Sequence, residues 1–384
     1  MNRLSLERWM TALLIVLLVA GIAACVPKPV KPVSEMDTPQ HHFFLGQKAL
    51  DEGRIQDAGT HFDRSLQLDP KFSKAHAGKG IVAAYLKDPK GALAHVDTAW
   101  RHAGTNDEKA YADIAYIRVY TLNQSPVNWL DLAREKFDFA LQYDPRSSGA
   151  YYFMGMAYRQ ALEFEKARGM FAKVAELKGD YTAQASAQWE LMDKIQRAMP
   201  GTATGKKIAL LEQISRADAA ALFMEELKID KLYERRTVKT FDTSFREPGK
   251  RAAKGSVAPR DIANHPLKAD VDGLLKYGVR GLEVYPDGSF DPAGLVNRAA
   301  YAMMIEDILI KVTGDEKLAT KFIGSTSTFG DLRSDLPYFN AVMVVTSRGI
   351  MKGNLATGQF SPEGAVSGVD ALLIIKEFKE QLKI

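Results

Sequence analysis

Small residues recur through the first half of the chain at an interval of 34. Gly46 and Gly80 form one such pair, and Ala58 and Ala92 another; Ala133 with Ala167 and Phe137 with Phe171 repeat the interval in a second register. A fixed period of this length means stacked supersecondary units, because a single unit cannot bury its apolar face alone. Four units start near Pro39, Ser73, Asp107 and Ser148, and Pro70 and Pro145 close two of them after "LQLDP" and "LQYDP". The third departs from the pattern: its first helix, around Tyr111 to Leu122, is followed by an extra segment, Asn123 to Trp129.

This arrangement resembles the tetratricopeptide repeat, with small residues where the helices of a hairpin touch, an aromatic residue one turn later and a proline at the stop. Gly155, Tyr158, Ala167 and Phe171 make the fourth unit the cleanest copy. The resemblance implies a helical-hairpin solenoid over residues 41–198 whose concave face docks a protein. That face would include Gln47, Tyr85, Tyr152 and Arg159. The alternative is an ordinary exposed polar face. Ala183 to Met199 reads as a capping helix with Trp189 turned inward.

The second half repeats at a longer interval. Gly-x-Phe-x-Pro occurs at Gly288/Phe290/Pro292 and again 70 residues on at Gly358/Phe360/Pro362, and Asp261-Ile262 is matched by Asp331-Leu332 at the same offset. A degenerate earlier copy, Ala203 to Phe223, keeps the turn-to-helix half. Pro286 presets a turn that Gly288 can finish with positive φ, and Ser215, Asn297 and Ser367 are good N-caps for the helices that follow. Arg216 and Arg298 fall in the first helical turn, where the macrodipole disfavours a cation, so each calls for an anionic partner.

Turn, helix start and spacing together resemble the S-layer homology module, in three copies over 181–384: copy one at about 181–228, a basic insertion at 229–258, copy two at about 259–313 and copy three at about 329–384. The resemblance implies a mainly α bundle that holds an acidic cell-wall glycan through Arg216, Arg298, Asp218, Asp287, Gly288, Asp261 and Asp331. The competing reading pairs the two arginines with Asp261 or Asp331 and makes them locks of the bundle. Copy three has Gly368 in the arginine position, copy two has Ala300 in place of the motif acid, and Leu267 and Tyr338 stand near where the family's first helix often carries tryptophan.

The N-terminus adds an address. Arg3 and Arg8 precede an apolar run from Met10 to Ala20, and "GIAAC" ends on Cys25, the one cysteine of the chain. This resembles a bacterial lipoprotein signal (1–24) with Cys25 as the lipidated residue; Val26 in place of Asp favours an outer-membrane destination in a Gram-negative cell. An apolar run this short falls below the roughly 20 residues of a spanning helix. A single cysteine excludes an intrachain disulfide. The proline-rich stretch 25–40 reads as an extended tether reaching roughly 45 Å at ~3.1 Å per residue.

The net charge of +4 over 384 residues carries no nucleic-acid signature. Asp287 to Asp291 lacks the alternating ligands and distal Glu of a calcium loop, and His41-His42 has no partner at metal spacing. "GTATGKK", Gly201 to Lys207, lacks the ending and the preceding strand of a phosphate loop, and no catalytic set or nucleotide fingerprint is present. The basic stretch Arg235 to Lys254 reads as an exposed insertion. The expectation is a non-enzymatic envelope lipoprotein without cofactor or metal. It would bind wall polymer and an envelope protein as a tether or scaffold, with no nucleic-acid partner. The second reading is an assembly factor for a secretion, pilus or polysaccharide-export machine whose C-terminal modules are structural only.

Overall fold

The computed structural model describes residues 29–236 and 258–383; the signal-type segment, Cys25 and most of the basic insertion lie outside them. Among the described residues the chain is helical, with isolated bridges in place of strands. It divides into two compact units, up to Met192 and from Asp193.

The N-terminal unit is a run of helical hairpins. Helices α1 (Pro39–Asp51) and α2 (Ile55–Leu68), α3 (Ser73–Tyr85) and α4 (Pro89–His102), α5 (Asn106–Asn123) and α6 (Trp129–Tyr143), and α7 (Ser148–Gln160) and α8 (Phe164–Leu177) pack in sequence. Their starts are written locally. Thr38 caps α1 and Asp88 caps α4, each followed by proline in the first turn, and Thr105 with Glu108 forms a reciprocal capping box on α5.

The 34-residue period is a contact requirement. The Phe62 ring, fully buried, lies between Gly46 and Gly78, and a Cβ on either would come within 2.5 Å of it. A Cβ on Gly80 would come within 2.8 Å of the Ala92 carbonyl, and one on Gly155 within 2.6 Å of the Phe171 ring. Gly169 on α8 has open space instead. Gly155→Ala is therefore expected to cost about 1–3 kcal/mol by overpacking. Gly169→Ala should gain about 0.5–1 kcal/mol by restricting the unfolded chain. Urea unfolding of the two variants distinguishes contact from propensity by the opposite signs.

Two expectations fail here. Residues 30–38 are not a free spacer: Val30 N–H donates to the Gln67 carbonyl at 2.8 Å, and Asp37, 5% exposed, accepts from Val33 N–H, Arg64 and His42. Its hydrogen bonds, that from Arg64 foremost, hold the Asp37 carboxyl well below the usual range. The charge cluster outweighs the extended bias of the prolines and also supplies His42 with an acidic neighbour. Trp189 on α9 (Thr182–Ala198) is 38% exposed beside Arg168, and Ala185, Met192 and Ile195 form the buried face. Helical phase, not side-chain size, decides which residue is covered.

Asp113 on α5 is buried, and neither carboxylate oxygen accepts a well-formed hydrogen bond; Lys136 Nζ stands 3.5 Å away. Burial pushes its pKa up to about 6, with Lys136 offsetting part of the effect. A carboxyl raised in the folded state contributes stability below its unfolded pKa and loses it as pH rises through the folded value. Stability of the N-terminal unit is thus expected to fall between about pH 4 and pH 6 by on the order of 2 kcal/mol. Asp113→Asn should flatten that slope in urea titrations followed by tryptophan fluorescence.

The C-terminal unit holds α10 (Ala203–Ile208), α11 (Arg216–Ala221) continuing through a π turn at Leu222–Glu226, α12 (Ile229–Arg236), α13 (Lys268–Leu275), α14 (Arg298–Thr313), a 3-10 turn (Glu316–Thr320), α15 (Phe339–Ser347) and α16 (Gly368–Leu382). Ser215, Asn297 and Ser367 cap α11, α14 and α16 through their side-chain oxygens. Ile214, Val296 and Val366, each one residue before its cap, are buried together. Ile214 N–H donates to Val366 O, and Val296 N–H to Ile214 O.

The links run around the three copies. Arg216 and Ala217 N–H donate to Gly294 and Pro292 carbonyls, and Arg298 and Ala299 N–H to Gly364 and Pro362, each acceptor displaced by 70. Gly368 N–H closes the ring onto the Leu211 carbonyl. "GTATGKK" is spoken for internally: the Glu226 carboxylate accepts from Gly201 N–H at 3.0 Å and from Thr202 N–H and Oγ1 at 2.9 and 2.8 Å.

Candidate functional site

In the C-terminal unit the two motif arginines sit at equivalent places. Arg216, 8% exposed, donates from Nε to Phe290 O at 2.8 Å, from one terminal nitrogen to Gly281 O and from the other to Glu283 O at 2.9 Å. Arg298 donates from Nε to Phe360 O at 2.8 Å and from Nη2 to Lys352 O at 2.7 Å. Each guanidinium also lies over the phenylalanine of the next copy, Phe290 at 4.8 Å and Phe360 at 4.6 Å. Burial lowers the Arg298 pKa, with Asp370 and Asp331 opposing.

The expected arginine–aspartate pairing is replaced. Asp261 accepts from Phe290 and Asp291 N–H at 2.8 and 2.7 Å, and Asp331 from Phe360 and Ser361 N–H at 2.9 and 2.7 Å. The aspartates bind the amides of the turn, the arginines bind carbonyls of the same stretch, and the turn is held from both sides. Both carboxyls are lowered: burial raises them, and the amide hydrogen bonds outweigh it. Asp218 closes the capping box on α11, accepting from Ser215 N–H at 2.9 Å. Asp287 bonds Ser289 and pairs with Arg260 at 2.7 Å in the exposed turn, which Gly288 completes with φ 82°. Tyr285, 45% exposed, is the aromatic beside Arg216, 4.7 Å from its guanidinium.

In the N-terminal unit, three adjoining cavities of about 350, 230 and 490 Å³ run along the groove, and Tyr181 lines all of them. Gln47 lines two, and Tyr85 and Tyr152 line the one of 230 Å³. Tyr152 stacks on Tyr181 with centroids 4.8 Å apart and planes at 7°. Arg159 lines none of them: its Nε is buried without a hydrogen-bond partner, and burial lowers its pKa, with Tyr152 opposing. The structure thus gathers Gln47, Tyr85 and Tyr152 and leaves Arg159 aside. It adds Arg118, Tyr181 and Asp51, whose carboxyl burial raises while Arg118 lowers it. The signal for Arg118 was a lone cation in "AYIRVY", an otherwise apolar and aromatic run.

Residues 328–371 match the S-layer homology domain family model. The matched stretch is copy three, from the approach to Asp331 through Phe360 to the first turn of α16. No curated protein matches the chain. A solved structure reported under "Functional Characterization of Pseudomonas Aeruginosa pilF" is 16% identical, covers 43% of this chain and 93% of that chain, and superposes with a TM-score of 0.22. The S-layer homology match falls on the copy that lacks the motif arginine. That copy keeps Asp331 on the turn amides, buried Phe360 and the Ser367 N-cap.

Proposed function

We propose that the chain is a non-enzymatic cell-envelope protein that grips a wall polymer through its C-terminal trio and docks an envelope protein in its N-terminal groove. Cys25 would supply the lipid anchor, at the outer membrane facing the periplasm in a Gram-negative cell. The observation that carries this reading is the S-layer homology match within a ring of three linked copies. The polymer contact is assigned to Arg216, Arg298, Asp218, Asp261, Asp331 and the turn at Asp287 and Gly288. The turns held by the arginines and aspartates form its scaffold, and exposed Tyr285 and Arg260 offer a ring and a cation to an acidic sugar. Sedimentation of the purified protein with peptidoglycan sacculi tests it: co-sedimentation is expected, and recovery only in the supernatant with every wall fraction would remove the polymer-binding half.

One observation favours the assembly-factor reading. Arg216 has all three of its guanidinium nitrogens bonded to backbone carbonyls, which leaves the trio structural and the groove as the working surface. Sacculus binding separates the two, since only the first reading requires it; Tyr152→Ala with Tyr85→Ala is expected to lose the protein partner under either, and a partner retained by that variant would overturn the docking groove.

A further inference from the structure

Arg118 is 8% exposed, yet it makes no ion pair and donates no hydrogen bond among the described residues; its guanidinium carbon stands over the Phe153 ring, 4.3 Å from the centroid. It lines both the 350 Å³ cavity and the neighbouring 230 Å³ cavity. The hydroxyl of Tyr111, also lining the larger cavity, is buried without a partner. The Arg118 donors open into a cavity that also holds a buried phenol without a partner, so an acceptor entering it would meet donors that nothing in the protein has used. The fork geometry of arginine fits a carboxylate best.

Resting on the reading of this groove as a protein-docking surface, we propose that Arg118 and Tyr111 receive one side-chain carboxylate of an extended peptide from the partner. Charge complementarity sets the class, and the surroundings narrow it. Tyr85, Tyr152 and Tyr181 flank the anion position with aromatic surface suited to apolar neighbours of the acid. Asp51 on the same 230 Å³ cavity disfavours a second adjacent acid. The preferred segment therefore carries a single Asp or Glu between apolar or aromatic residues.

Selection of displayed random heptapeptides on the immobilised full chain is the test. Enriched sequences are expected to share one acidic position bounded by apolar residues. The best of them should bind Arg118→Met at least 10-fold more weakly, Arg118→Lys at an intermediate level, and Tyr111→Phe several-fold more weakly with an unchanged melting curve. Enrichment without an acid, or through the free C-terminal carboxylate alone, overturns the assignment and leaves the docking reading standing. So does an acid preference that persists in Arg118→Met. Should Arg118→Met fail to fold, Tyr111→Phe decides, and unchanged affinity there overturns the assignment. No enrichment at all removes the docking reading together with the assignment.

Discussion

Gly368→Arg, which gives copy three the arginine of its two sisters, is expected to unfold the C-terminal unit instead of creating a third site. A Cβ at 368 would overlap the Ile208 carbonyl, with the Ala209 nitrogen 3.1 Å away, and both obstacles are backbone. Flexible side chains can give way to a new atom, whereas a carbonyl fixed in a packed turn cannot. Even Gly368→Ala should therefore cost about 3 kcal/mol or more, at the upper end of overpacking penalties. The readout is selective, since the tryptophans stand at positions 9, 100, 129 and 189, all before the C-terminal unit. Circular dichroism should lose the helical signal of residues 193–384 while the tryptophan transition keeps its midpoint. A Gly368→Arg protein with both transitions intact would mean that the ring of copies does not close through this residue.

The absence of arginine at 368 is read differently once that contact is known. In the sequence Gly368 is a lost ligand; in the fold it is the only residue type that lets α16 approach the end of α10. The period of 34 was legible because Gly46, Gly80 and Gly155 leave room for the helix packed on them, and the period of 70 because Phe290 and Phe360 each lie under an arginine of the preceding copy while Gly288 and Gly358 take positive φ in the turn. The caps at Ser215, Asn297 and Ser367 were legible because capping is local, requiring only an oxygen three residues before an amide. The partners of Arg216 were not, since they are the main-chain carbonyls of Gly281, Glu283 and Phe290, and a carbonyl leaves no trace in residue type. In the groove, Gln47, Tyr85 and Tyr152 followed from repeat register. Arg118 did not, because it faces the cavity from a long helix whose cap and length depart from the other units.

Arg216→Met should be the most damaging single loss of a side chain in the C-terminal unit. Removing the guanidinium leaves three carbonyls of copy two without their donors. An orphaned buried acceptor costs about 1–3 kcal/mol; the Phe290 contact is buried and the other two only partly so, and a total of about 3–5 kcal/mol is expected after partial rehydration. Arg298→Met frees two carbonyls, one of them through an exposed contact, and should lose about 1–3 kcal/mol. Arg216→Lys keeps the charge but cannot span three acceptors in one plane, and belongs near the methionine variant rather than near wild type. Urea midpoints by circular dichroism give the order. Equal midpoints for Arg216→Met and wild type would show that the carbonyls are satisfied without the arginine. The same series decides how a binding loss is understood: if sacculus sedimentation drops in step with the midpoint, the arginines serve the polymer by building the turn. If Arg298→Met loses sedimentation at nearly full stability, its guanidinium contacts the ligand directly.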